Sequence, residues 1–168
     1  MNIILIGMPG AGKSTVGVLL AKTLGLGFVD TDLLIQQSAG RRLQEIIDQD
    51  GLDRFLQIES QVLSTLPVQN CVIATGGSAV YSEPSMQHLH QIGTILYLQV
   101  GLSELERRLH NIRTRGIAKR ADQSLSDLYH ERVPLYEKYS DLVVDCTGLD
   151  PEPCVQAMAE ALETNKLI

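Results

Sequence analysis

The chain has 168 residues, of which 44% are apolar and 20% charged, so it holds enough apolar side chains for one buried core. A net charge of −6 argues against long-range attraction to nucleic acid or acidic membranes. Three cysteines, Cys71, Cys146 and Cys154, form no C-x-x-C pair and no disulfide framework, and the opening residues carry no basic leader, so a reducing, cytoplasmic setting is expected.

Ile3 to Ile6 is a short continuous run of apolar, mostly β-branched residues that stops at Gly7, which predicts a strand buried on both faces of a parallel sheet. From Ser14 the positions Val16, Leu19, Leu20 and Leu24 follow helical spacing, and Gly25 and Gly27 end the pattern. Phe28 to Asp30 reads as the tip of a second strand. Helical patterns then cover about Asp32 to Gln37, Leu43 to Asp48 and Leu52 to Leu66, closed by Pro67. Cys71 to Ala74 and Ile95 to Leu98 predict two further central strands. Helices are expected near Met86 to His90, Leu102 to His110 and Leu125 to Tyr136, followed by a strand at Asp141 to Asp145 and a last helix from about Pro151 to Leu162. Strands alternating with helices predict a single α/β sandwich with right-handed crossovers, and no linker or repeat divides it.

Gly7-Met8-Pro9-Gly10-Ala11-Gly12-Lys13-Ser14 matches G-x-x-x-x-G-K-[ST] between a predicted strand and a predicted helix. Glycines let successive N–H groups turn inward toward phosphate oxygens, and the helix dipole adds positive potential. The pattern points to ATP with Mg2+: Gly10, Ala11, Gly12, Lys13, Ser14 and Thr15 around the phosphates, Lys13 bridging the β- and γ-phosphates, and Ser14 on the metal. A GTPase would need an N-K-x-D element, and the only Asn-Lys pair, Asn165-Lys166, lacks the aspartate. A mechanical ATPase usually needs a larger chain. A kinase of a small molecule fits best.

Asp30-Thr31-Asp32 ends the second predicted strand, where open α/β sheets place ligand-binding groups. Asp30 is a candidate holder of a magnesium-bound water, and Asp32 a candidate base for the acceptor hydroxyl or, alternatively, the N-cap of the next helix. Thr75-Gly76-Gly77-Ser78 follows the third strand run and is either a backbone approach to ligand or a plain turn. Arg107, Arg108, Arg113, Arg115, Lys119 and Arg120 are six of the fourteen lysines and arginines, and the stretch from Arg113 to Asp122 has no apolar periodicity. It reads as a basic lid over the phosphates; a solvated helix end or RNA patch is the competing reading, weakened by the lack of interleaved aromatics. His88, His90, His110 and His130 have no metal-ligand spacing and read as surface residues.

With these features in order, and Glu131-Arg132-Val133-Pro134-Leu135-Tyr136 after them, the chain resembles the shikimate kinase family over nearly its whole length. The resemblance implies a nucleoside-monophosphate-kinase-like three-layer fold with a five-stranded parallel sheet, a helical substrate-binding region at about 32–66 and a lid at about 111–124. It further implies that Asp32, Gly76, Gly77 and Arg132 meet the acceptor, that Arg115 is catalytic from the lid, and that Arg108 and Arg113 lie on the nucleotide. Arg113 competes with Arg115 for the lid role, and the family's three-glycine run ends here in Ser78. The segment Gly51 to Glu59 resembles the family's G-E-x-x-F-R-x-x-E, with Phe55 and Glu59 matching but Leu52 and Leu56 standing where glutamate and arginine are expected.

In the family that arginine grips the substrate carboxylate, a charge-assisted contact worth about 1.5–3 kcal/mol. Arg54 lies about 200° around a helix from Leu56 and should not replace it. The leucines either rebuild the pocket or pack beneath it. The expected activity is therefore transfer from ATP to a small-molecule hydroxyl, shikimate first, by a monomer acting without nucleic acid or membrane. A kinase of another small hydroxy acid and a nucleotide-binding regulator without turnover are the alternatives.

Overall fold

A strand of Asn2-Ile3-Ile4-Leu5-Ile6 can be stable only where both of its faces are covered. The computed structural model, which describes residues 1–109 and 116–168, buries it completely: Ile3, Ile4, Leu5 and Ile6 are each 0% exposed. In chain order the elements are β1 (Asn2–Ile6), α1 (Lys13–Leu24), β2 (Gly27–Asp30), α2 (Thr31–Ala39), α3 (Leu43–Asp50), α4 (Leu52–Ser64), β3 (Cys71–Ala74), α5 (Glu83–Ile92), β4 (Gly93–Gln99), α6 (Leu102–Leu109), α7 (Leu125–Tyr139), β5 (Leu142–Asp145) and α8 (Pro151–Thr164). A single 3-10 turn, Ala79–Tyr81, precedes α5.

The five strands form one sheet in the order β2-β3-β1-β4-β5, and every pairing is parallel. All carboxyl ends therefore lie along one edge, which gathers the turns after β1, β2, β3, β4 and β5 together. At the opposite edge the buried side chain of Asn2 staples three segments. Its Nδ2 donates to Val68 O at 2.8 Å and Ile92 O at 3.0 Å, and its Oδ1 accepts from Cys71 N at 3.0 Å. A buried amide with its partners supplied fixes the strand register where side-chain packing alone would not.

Two apolar clusters form. The larger one runs through the sheet, α1, α5 and α8; the smaller centres on Ile35, Ile46, Phe55 and Ala118, joining α2, α3 and α4 to the segment after α6. Leu52 and Leu56 pack against this smaller cluster.

Several boundaries differ from those read in the sequence. Strand β4 extends to Gly93–Gln99, and α5 starts at Glu83, capped by Ser82, whose Oγ accepts from Ser85 N at 3.3 Å. Asp141 lies just outside β5, bonding to Ile95 through both its N–H and its carboxylate. Helix α7 passes through Pro134 to Tyr139, because only one intrahelical donor is lost there and Tyr136 beyond it is fully buried. The expected N-cap of α2 is corrected from Asp32 to Asp30, whose Oδ1 accepts from Asp32 N at 3.0 Å. His88 is half-buried, with Nε2 3.1 Å from Leu66 O, so it is not a plain surface residue; His90 and His130 are exposed.

The reading of all cysteines as unpaired is also corrected. Cys146, just past β5, and Cys154, in the first turn of α8, form a disulfide with Cα atoms 5.5 Å apart. A tight turn between consecutive elements brings them together, which spacing without a C-x-x-C signature does not reveal. Cys71 is free. Closing this short loop restricts the unfolded chain by about 2–3 kcal/mol. Urea unfolding with and without a dithiol reductant is expected to show a stability loss of about 2 kcal/mol on reduction, absent in the Cys146→Ser, Cys154→Ser double variant.

Candidate functional site

The turn after β1 is shaped by positions that a side chain could not occupy. Gly7, Gly10 and Gly12 all have positive φ, and a Cβ on Gly7 would lie 2.7 Å from the backbone oxygen of Leu98. Helix α1 begins at Lys13, so its unpaired N-terminal N–H groups open into the turn. Lys13 is buried, and its Nζ donates to Gly7 O at 2.7 Å and Met8 O at 2.9 Å, which holds the ammonium against the loop. Ser14 Oγ donates to Asp30 Oδ2 at 2.6 Å. That contact joins the end of β1's turn to the end of β2, and it places a hydroxyl and a carboxylate side by side. The pair suits a magnesium ion that takes one or two protein oxygens and fills its remaining positions with phosphate and water.

A cleft of about 710 Å³ opens from this loop and is lined by Lys13, Ser14, Asp30, Asp32, Gly76, Gly77 and Arg132, among others. The predicted residues of the turn after β3 and of α7 thus meet those of the phosphate loop. Arg132 is 1% exposed. Its Nε donates to Tyr81 Oη at 3.1 Å, its Nη2 donates to Ala118 O, and its guanidinium carbon lies 5.1 Å from the centre of the Tyr81 ring. Its Nη1 faces Gly77, where an added Cβ would come within 2.9 Å. Tyr136, one turn further along α7, donates its hydroxyl to Gly77 O at 2.6 Å and stacks on Tyr97 at 5.1 Å. Burial pushes the Tyr136 phenol well above its ordinary range, so it remains a donor.

Glu59, on α4, was noticed in the sequence only as a motif match, and the structure makes it the unusual group of the site. It is 2% exposed. Oε2 accepts from Ser78 Oγ at 2.6 Å, and Oε1 is buried with no hydrogen-bond partner. Burial first, and the nearby Asp32 charge second, push its carboxyl up to about 7 against the opposing pull of Ser78, Arg132 and Lys13. Sequence spacing could not have found this, because the cause is solvent exclusion by three separate elements.

A separate cavity of about 480 Å³ shares Gly10, Gly12 and Thr15 of the phosphate loop and is also lined by Arg108, Asp150 and Pro151. Arg108 spans it, with Nε donating to Glu104 Oε1 at 2.8 Å and Nη1 to Ala11 O at 3.1 Å. The Cys146–Cys154 disulfide forms part of its wall. Arg113 and Arg115 lie outside the described residues. Arg107 pairs with Glu104, while Lys119 donates to Gln123 O at 3.1 Å and Arg120 lies 3.8 Å from Glu131, so these basic residues are tied to local partners. Gly116, Ile117 and Ala118 do line the main cleft. Leu52, Leu56 and Arg54 do not line it; Arg54 donates to Gln57 at 3.3 Å on the exposed side of α4.

A glycine cradle at a helix start, a Ser–Asp pair beside it, and a polar cleft at the carboxyl edge of a 2-3-1-4-5 parallel sheet define a P-loop kinase of the nucleoside-monophosphate-kinase type. The family profile for shikimate kinase matches residues 9–163. The chain is 35% identical over 165 residues to the shikimate kinase of Thermodesulfovibrio yellowstonii, covering 96% of this chain and 95% of that one. Its structure resembles that of the Acinetobacter baumannii shikimate kinase in complex with shikimate, with a TM-score of 0.91, 31% identity and coverage of 99% and 95% of the two chains. The Aquifex aeolicus shikimate kinase aligns with a TM-score of 0.85, 32% identity and 99% coverage of each chain. The chain belongs to the shikimate kinase family.

An acid whose folded value lies above its unfolded one stabilises the fold at low pH and loses that contribution as pH rises through the folded value. For Glu59 the loss is expected between about pH 4.5 and 7 and amounts to about 3 kcal/mol. Chemical denaturation across that range should show this slope in the native chain and a much flatter one in Glu59→Gln.

Proposed function

We propose that this chain transfers the γ-phosphoryl group of ATP to a hydroxyl of shikimate. The observation that carries the reading is the shared cleft, in which Lys13 and Ser14 of the phosphate loop line the same space as Asp32, Gly77 and Arg132. Backbone N–H groups of Gly10 to Thr15 bind the polyphosphate, and the base lies in the cavity beside Arg108. Lys13 leaves its loop carbonyls to follow the γ-phosphate and stabilise the charge that develops during transfer. Ser14 and Asp30 are the residues that would hold magnesium, which when bound neutralises charge on the phosphates.

Asp32 accepts the proton of the attacking hydroxyl and orients it. Arg132 binds the acceptor carboxylate through the edge it turns toward Gly77, a role suited to a guanidinium whose other nitrogens are already held. Residues 32–66 form the acceptor-binding region and 111–124 the lid, with Arg115 or Arg113 closing on the phosphates. Leu56 packs in the small cluster, so the acceptor carboxylate relies on Arg132, with Arg42 the other guanidinium lining the cleft among the described residues.

Among the described residues no helix is long and apolar enough to cross a membrane. We place the enzyme in the cytoplasm because it needs ATP, the Cys146–Cys154 bond having removed the cysteines as a reason for a reducing compartment, and we take it to act as a monomer on a small molecule without nucleic acid or membrane.

ADP release measured with ATP, magnesium and a panel of small hydroxy acids is expected to be greatest with shikimate, and mass spectrometry should show one added phosphoryl group. Turnover of another acceptor with none of shikimate would overturn the substrate. Lys13→Ala is expected to lower kcat by about 10²–10³-fold with the fold retained, as loss of a donor to developing charge does elsewhere. Asp32→Asn should lower kcat by about 10²-fold or more while nucleotide binding, read by calorimetry, is kept.

A further inference from the structure

Glu59 stands at the floor of the acceptor cleft and, among the described residues, has no ion-pair partner. Its two oxygens differ: Oε2 holds the Ser78 hydroxyl, and Oε1 is sealed from solvent with no donor. Both Glu59 Oε1 and Asp32 Oδ1 crowd Gly76, where an added Cβ would lie 2.6 Å from the first and 3.0 Å from the second. The charged groups that face it come from three other elements: Asp32 from α2, Lys13 from α1 and Arg132 from α7. Along its own helix the neighbours one turn away, Phe55 and Leu63, are buried and apolar. Lys13 is bonded to loop carbonyls and Arg132 to Tyr81 and Ala118, so neither is spent on Glu59.

An ionised Glu59 would set a second negative charge beside Asp32, in the cleft that must take an anionic acceptor and, next to it, a polyphosphate. Like charges this close in a water-poor space oppose binding strongly. A neutral carboxylic acid removes that opposition and keeps the Ser78 contact, which holds the Gly76–Ser78 turn in place against the acceptor.

We propose that Glu59 is a positioning residue that admits an anionic acceptor only in its protonated form, holding the Gly76–Ser78 turn while leaving Asp32 as the charged carboxylate beside Gly76. This rests on the acceptor being a carboxylate such as shikimate. When the acceptor binds to enzyme in which Glu59 is ionised, the Glu59 carboxylate takes one proton from the buffer acid, which is left as its conjugate base, and no other bond changes.

The test uses the full chain with shikimate as the probe. In the native protein KM for shikimate is expected to rise about a hundredfold from about pH 6 to about pH 9, with the change in KM rather than kcat, since only the protonated form takes the ligand. Calorimetry of shikimate binding at about pH 8, in two buffers of different ionisation enthalpy, should show uptake approaching one proton. Glu59→Gln, isosteric and permanently neutral, should abolish the uptake and flatten the KM profile, whereas a merely structural role would leave both as in the native chain. The proton count on the native protein decides the matter even if the variant misfolds. Shikimate binding without proton uptake, or a Glu59→Gln profile that still rises with pH, overturns this inference alone. Failure of shikimate to bind at any pH, with ATP still bound, overturns the acceptor reading and this inference together.

Discussion

A guanidinium cannot shed its charge, so a buried one obliges its surroundings to supply acceptors. Arg132 meets that demand with the hydroxyl and ring face of Tyr81 and with the carbonyl of Ala118, which come from two different segments. The 3-10 turn, the strand-side glycines and the segment that follows α6 are thereby drawn to one point on α7. The acceptor cleft is the space they leave. Its shape follows from satisfying one buried cation, with Tyr136 on the same helix adding a hydrogen bond to the Gly77 carbonyl.

The parallel sheet supplies the other half of the geometry. Since all strands point the same way, the phosphate loop, the Asp30 turn and the glycine turn after β3 have to emerge on one edge. The order of the strands then sets which turns are neighbours: β3 lies between β2 and β1, so Asp30, Gly76 and Gly7 fall side by side. Asn2 at the far edge fixes the register there and leaves the ligand edge to be built from turns.

Much of this was legible in the residues. Continuous apolar runs marked the central strands because both their faces are covered, and the phosphate loop was legible because glycine spacing and a following helix are local properties. The Ser14–Asp30 pair lies sixteen residues apart in the chain, one at the start of α1 and the other at the end of β2, and each residue alone reads as a candidate metal holder. What could not be read depends on three-dimensional enclosure. The elevated carboxyl of Glu59 arises from burial in the folded chain and from the charge of Asp32, a residue 27 positions away in sequence. The Cys146–Cys154 bond arises from the tight turn that leads from β5 into α8. The N-cap was misplaced by two residues because Asp30 and Asp32 are chemically equivalent, and only the backbone direction at the end of β2 separates them.

The two apolar clusters have different obligations. The large one supports the sheet and the phosphate loop; the small one under α2, α3 and α4 has only to keep a helical flap folded, and it accepts Leu52 and Leu56 within its own packing. Such a partition confines the consequences of a changed side chain: a substitution in the small cluster disturbs the helices beside the cleft without reaching the packing that carries the phosphate loop.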